Sequence, residues 1–513
     1  LDQAIEKQLG KMYSGPLPPR DGYLWEALDE SLSEESISQE EAVSEGIIDP
    51  ATIVDLTSKI DAEGRLKWEV PEGDWIISLT GMVPTGATNV PVPPEATGFE
   101  CDKFTREAIE THFNGFIGKF LDRVPPEKRK SLKTVVIDSY EVGPQNWTDN
   151  FREIFLERYG YDPIPWLPVF SGRIVENTDK SDRFLWDLRR LTADLIADIY
   201  VTRLREMCNE QGLDLWVENY GHWGFPAEFL QYGGRADKIS GEFWYENHLW
   251  DLGPLECRAA SSAAHIYGKA QVFAEAFTAG FNFRQYPGSM KSRGDQMFCE
   301  GINHMVQHVY IHQPWEDRIP GVIAWFGMSY QRHNTWFEQS RAWNEYLSRC
   351  HFMLQLGLPV TDICYFIGED APKMTGILEP DRPPGYDYDF INCDVIMNRL
   401  SVENGQLLLP DGITYELMVL PPLNTMRPEM LRMIYELLMQ GARIFGPPPS
   451  KSPSLENYPS SDQEIREISL EIWGKVDEST KIHKEVGKGQ MFYGQDLSNV
   501  LNELNVDPDI IVQ

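Results

Sequence analysis

Positive charge is in short supply. The 513-residue chain has 46 Lys and Arg against 79 Asp and Glu, a formal charge of −33, with the acids spread along its whole length. Such a surface repels phosphates, so neither nucleic acid nor an anionic membrane is expected as a partner. Cysteine is sparse too. The seven residues Cys101, Cys208, Cys257, Cys299, Cys350, Cys364 and Cys393 are scattered, and none is spaced C-x-x-C. Neither a disulfide framework nor a structural zinc site is expected. No apolar run is long enough to cross a bilayer, so membrane insertion is not expected. No glycine-rich phosphate loop follows any apolar run, which argues against a nucleotide-binding sheet. No repeat of fixed period stands out, and no signal peptide is visible in this sequence, which opens without Met.

What the chain does contain is a rhythm of apolar strands and amphipathic helices. Residues 1–65 are acidic and weakly patterned. Strands are then predicted at 74–83, 133–141, 213–219, 238–244, 270–277, 306–313 and 321–328. Helices fall between several of them, including 102–124, with Phe113, Phe116, Ile117 and Phe120 at helical spacing, and 181–212, with Ser181 or Asp182 as N-cap. Near-continuous apolar strands alternating with helices mean a parallel sheet buried on both faces. The fold expected over 66–356 is a (β/α)8 TIM-type barrel with one strand missing from this chain, because seven strands precede residue 330. An open doubly wound sheet has the same local pattern. A smaller flavodoxin-like α/β domain is expected at 357–450, and 451–513 is a polar C-terminal segment. Seven strands do not close an eight-stranded barrel, and the chain starts at Leu1 rather than Met. The native polypeptide is therefore expected to extend beyond residue 1, and also beyond residue 513.

The strands end in acids. "VVIDSYEVGPQNW" (135–147) stops an apolar run at Asp138 and adds Glu141; Glu218 ends "WVE", Glu242 sits in "GEFW" and Glu275 in "FAEAF". In a barrel these ends form the active-site face. One such acid is ordinarily a solvated or ion-paired loop residue. Acids on four strands in series crowd one mouth and raise one another's pKa, which calls for chemistry or a cation. Aromatics and histidines accompany them, and Trp223, Trp244, Trp325, His222 and His312, with Asp138, are the candidate substrate contacts. Carboxylates with aromatics suit a sugar, whose C–H faces stack on rings while its hydroxyls need polar partners. The chemistry this suggests is glycoside hydrolysis by a carboxyl pair.

The motifs "DSYEVG", "RFLWDLRRLTADLIADIYV", "WVENYGHWGFPAEFLQYGG", "RAASSAAHIYGK", "AEAFT", "GINHMVQHVYIHQP", "WFGMSYQRHNTWF" and "YFIGEDAPKM" together resemble glycoside hydrolase family 106, the α-L-rhamnosidases, from about residue 66 to about 450. The resemblance implies inversion at the anomeric carbon, rhamnose-containing plant or algal carbohydrates as substrate, a calcium ion in the site, accessory β-sandwich domains, and a periplasmic or extracellular location. Carried onto this chain, it implies Glu141 as general acid and Glu275 as general base. Glu218, Asn219 and Glu242 are the candidate Ca2+ ligands, and Asp138 either orients Glu141 or shares the metal. Three other readings stay open: a retaining β-galactosidase-like hydrolase, a metal-dependent sugar isomerase, and a non-catalytic sugar-binding barrel.

Overall fold

The computed structural model describes residues 47–89, 92–219, 225–245, 254–280, 283–324, 327–476 and 481–511. Most of the acidic N-terminal segment lies outside them. Five parallel strands form a curled half-barrel in sequence order: β1 (Thr134–Ile137), β2 (Asp214–Glu218), β3 (Lys238–Trp244), β4 (Val272–Thr278) and β5 (His304–Gln307). Around them lie α1 (Arg106–Phe113), α2 (Thr178–Leu195), α3 (Thr202–Glu210), α4 (Phe229–Gly234), α5 (Pro254–Ile266), α6 (Pro287–Cys299) and α7 (Ser340–Leu354).

Strand alternation sorts the side chains. Leu215, Val217, Ile239, Val272, Ala274 and Ala276 are buried towards the helices. Register sets Trp216 beside Val136 and Lys238, Glu218 beside Ser240, Ser240 beside Phe273, and Glu242 beside Glu275 on the other face. The lower layer of that face is filled by Trp216 packed on Phe273, with ring centroids 5.3 Å apart, and by His304 on Phe273 at 4.5 Å. Because all five strands run the same way, the carboxylates brought by β1 to β4 share one rim.

Three predicted strands differ. Residues 74–83 form no strand: Ile76, Ile77, Leu79, Met82 and Val83 are exposed. An apolar run becomes a strand only when a neighbour supplies the hydrogen-bond ladder. The strand predicted at 306–313 stops at Gln307, and the described part of 321–328 is not a strand. The helix predicted at 102–124 is interrupted by a π turn, Asn114–Gly118. That turn slips the phase, so Leu121 is buried while Phe116 and Phe120 face solvent. The long helix is capped by Asn177, whose side chain accepts from Lys180 N, rather than by Ser181 or Asp182.

The second unit is a six-stranded sheet of β6 (Ile363–Phe366), β7 (Tyr388–Ile391), β8 (Leu417–Val419), β9 (Arg443–Phe445), β10 (Ile482–Val486) and β11 (Gly489–Tyr493), ordered β10-β11-β9-β8-β6-β7. All neighbours are parallel except the antiparallel pair β10 and β11. Its longer helices are α8 (Pro428–Gln440), α9 (Ser460–Trp473) and α10 (Leu497–Glu503). The sequence boundary at residue 450 therefore falls inside one folded sheet. The polar tail supplies two of its strands, with Ile482, Val486, Met491 and Phe492 buried. One apolar core joins β3, β4 and α5 to this sheet. Asp389, fully buried on β7, accepts from Ser262 Oγ at 2.9 Å and Tyr415 OH at 3.0 Å, and meets His265 Nδ1 at 2.9 Å. No helix of the described residues is long and apolar enough to cross a membrane.

Arg183 on α2 makes a two-pronged pair with Asp462 on α9, at 2.9 and 2.8 Å, with both side chains largely out of water. Removing one partner strands the other charge. Arg183→Ala is expected to lower the unfolding free energy by about 3–5 kcal/mol in a denaturant titration. A loss within about 0.5 kcal/mol, the level of an ordinary surface change, would show that this pair does not tie the two units together.

Candidate active site

The rim begins with the turn after β1. Tyr140 is buried in the helix-side core, packs edge-on against Phe225 at 5.8 Å and donates to Gly143 O at 2.9 Å. Gly143 takes φ +79°, which a side chain would resist. With Tyr140 pinned inward, its neighbours Asp138 and Glu141 are left exposed on the rim. Ser139 connects them: its backbone N donates to Asp138 Oδ1 at 3.1 Å, and its hydroxyl donates to Glu141 Oε1.

Asp138, Glu218 and Glu275 come from three different strands, yet each has an oxygen within 4.8 Å of the other two. Glu218 is buried, and its carboxyl is pushed well above the ordinary range, first by burial and then by Glu275, Glu242 and Asp138. Glu275 is pushed up to about 7. Burial is the main cause, opposed by a hydrogen bond from Thr278 and reinforced by Asp138 and Glu141. Glu242 is beside Glu275 in register, and its backbone N donates to Glu256 Oε1 at 2.8 Å.

The donor set fits a hard divalent cation. Three carboxylates at such spacing offer only oxygen, and their mutual repulsion is what a cation relieves. Asn219, a candidate ligand from the sequence, is not part of this group. One step along the strand from Glu218 reverses the face, and the Asn219 amide lies against Gly233 of α4, where an added Cβ would sit 2.8 Å from it. Neither end of that amide has a hydrogen-bond partner among the described residues.

Trp244 follows the last regular pair of β3 and is half-buried, with its carbonyl accepting from Arg293 Nε at 3.1 Å. His312 is exposed beyond β5, next to Gln313, which bonds both N and O of Val322. His222, Trp223 and Trp325 lie outside the described residues. Two neighbours of Glu275 were not singled out from the sequence. Thr278 donates to Glu275 Oε1, and His308 Nδ1 lies 3.1 Å from the same oxygen. The available signal was their position, three residues past Glu275 and one past the end of β5.

Known proteins share this architecture. The α-L-rhamnosidase family model of glycoside hydrolase family 106 matches residues 26–513. A rhamnosidase structure from Novosphingobium sp. PP1Y superposes with a TM-score of 0.80 at 31% identity, over 90% of this chain and 45% of that one. A protein of Formosa agariphila named "Putative beta-glucuronidase" is 37% identical over 433 residues, 84% of this chain and 36% of that protein. This chain thus spans less than half of either relative. A β-galactosidase from Rahnella sp. R3 matches in fold alone, with a TM-score of 0.51 at 12% identity over 79% of this chain and 73% of that one. With a family match that runs from residue 26 to residue 513, the chain belongs to glycoside hydrolase family 106, the α-L-rhamnosidase family.

Proposed function

We propose that this chain is the catalytic part of an inverting α-L-rhamnosidase that releases L-rhamnose from plant or algal polysaccharides, oligosaccharides or glycosides. The observation that carries the proposal is the gathering of Asp138, Glu218 and Glu275 at one rim, with Glu141 on the adjoining turn, in a family 106 chain. Glu141 is the general acid: exposed, it protonates the departing glycosidic oxygen. Glu275 is the general base: its ionised carboxylate takes a proton from water on the opposite face of the sugar. Asp138 and Glu218 hold Ca2+, with Glu275 in reach and Glu242 beside it. A bound ion there would supply positive charge that offsets the clustered carboxylates. Trp244 is a sugar contact, with His222, Trp223, His312 and Trp325 assigned to the same role.

The glucuronidase name of the Formosa protein suggests an acidic sugar. The expected result is rhamnose release from an aryl α-L-rhamnoside that stops in strong chelator and returns with added Ca2+. Calorimetry on metal-stripped protein should show one bound Ca2+. Unchanged turnover in chelator would remove the metal from the account. Hydrolysis of an aryl β-D-glucuronide in place of the rhamnoside would overturn the substrate assignment.

A further inference from the structure

The pairing of β3 with β4 is regular up to Phe243 and Ala276, and then steps: Trp244 pairs with Thr278, and Phe277 is skipped. Phe277 has φ +66°, a conformation that a bulky residue adopts only when its surroundings enforce it. Its fully buried ring packs on Phe243 at 4.9 Å and Trp343 at 5.7 Å. Gly294 on α6 makes room for it, since a Cβ there would lie 3.0 Å from the ring. Plain alternation would put Phe277 on the same face as Glu275 and turn Thr278 away. The bulge reverses both: the ring goes to the helix side and the Thr278 hydroxyl comes to Glu275.

A hydroxyl has one hydrogen, and here it is given to Glu275 Oε1. His308 Nδ1 lies 3.0 Å from Thr278 Oγ1 and 3.1 Å from Glu275 Oε1; with Glu275 ionised both oxygens are acceptors, and the Nδ1–H tautomer is the one that fits them. His308 is itself fixed. Its backbone N donates to Ala276 O at 2.9 Å, and its carbonyl accepts from Met328 N at 2.8 Å. Its ring lies so close to Gly327 that a Cβ there would approach it to 3.2 Å.

We propose that Thr278 and His308 are positioning residues for Glu275: together they engage Oε1 and so leave Oε2 as the oxygen that meets the reacting water. This rests on Glu275 being the general base, and it goes further by assigning the bulge at Phe277 and the chain after β5 to holding that base. The test uses the full chain and an aryl α-L-rhamnoside, with Glu275→Gln measured in parallel. Thr278→Val removes the hydroxyl at nearly constant shape. It should lower kcat roughly 10–100-fold, the scale expected of a misplaced reacting group, with KM within about twofold. Thr278→Ser keeps the hydroxyl and should stay within about threefold of wild type. His308→Asn, which retains a donor, should keep more activity than His308→Leu. Near wild-type kcat in Thr278→Val beside an inactive Glu275→Gln would overturn the positioning role alone, as would equal losses in the Ser and Val variants. A fully active Glu275→Gln would overturn the base assignment and this proposal with it. Crystal structures add a readout independent of turnover. The Glu275 carboxylate should shift in Thr278→Val and hold its place in Thr278→Ser, and an unmoved carboxylate in Thr278→Val would refute the proposal.

Discussion

Glu275→Gln should lower turnover on every rhamnoside by about 10²–10⁴-fold, whatever the leaving group, because water must be activated in each case. The substitution keeps the shape of the side chain and removes its ability to accept a proton. The environment of Glu275 makes the expectation specific. Burial, with Asp138 and Glu141 adding to it, pushes the carboxyl up to about 7. The active form is the ionised one, so activity of the wild-type chain should rise with pH as Glu275 loses its proton. A cation among Asp138, Glu218 and Glu275 favours the ionised form and should move that rise to lower pH. Steady-state rates against pH, at saturating and at low Ca2+, check this. Near wild-type turnover in Glu275→Gln, or a rise that ignores Ca2+, would contradict it.

Glu141→Gln should separate substrates by leaving group. A sugar or alkyl alcohol departs poorly unless protonated, so natural rhamnosides should lose about 10²–10⁴-fold. An activated aryl group departs with little help, so aryl rhamnosides should lose far less. Glu141, the proposed donor, is exposed on the turn that Tyr140 and Gly143 anchor, with Ser139 bonded to one of its oxygens. Parallel kinetics on an aryl rhamnoside and a rhamnose oligosaccharide decide the matter. Equal losses on both would remove Glu141 from the acid role.

The strand ends were readable because a parallel strand buried on both faces is a continuous apolar run, and an acid that terminates it stands out. Asp138 and Glu218 follow from that rule, while Glu242 and Glu275 lie inside β3 and β4, two and three residues before their last residues. The rule fails where pairing decides. Residues 74–83 are as apolar as β1, but they lack a neighbouring strand in the described structure. The tail after residue 450 reads as a polar segment because its apolar residues are few, yet Met491 and Phe492 are buried on β11. Asn219 shows the sharpness of alternation, since one residue beyond Glu218 the side chain belongs to the helix layer. Thr278 shows the opposite limit. Alternation turns it away from the site, and only the bulge at Phe277, set by packing against α6 and α7, brings it back.

The measurement closest to the central claim is the configuration of the sugar at the moment of release. Proton NMR during the first minutes of hydrolysis of an aryl α-L-rhamnoside, before mutarotation, reads it directly. Attack by water that Glu275 activates, on the face opposite the group that Glu141 protonates, predicts β-L-rhamnose as the first product. α-L-Rhamnose appearing first would mean a covalent intermediate and a retaining pair, and would contradict the account.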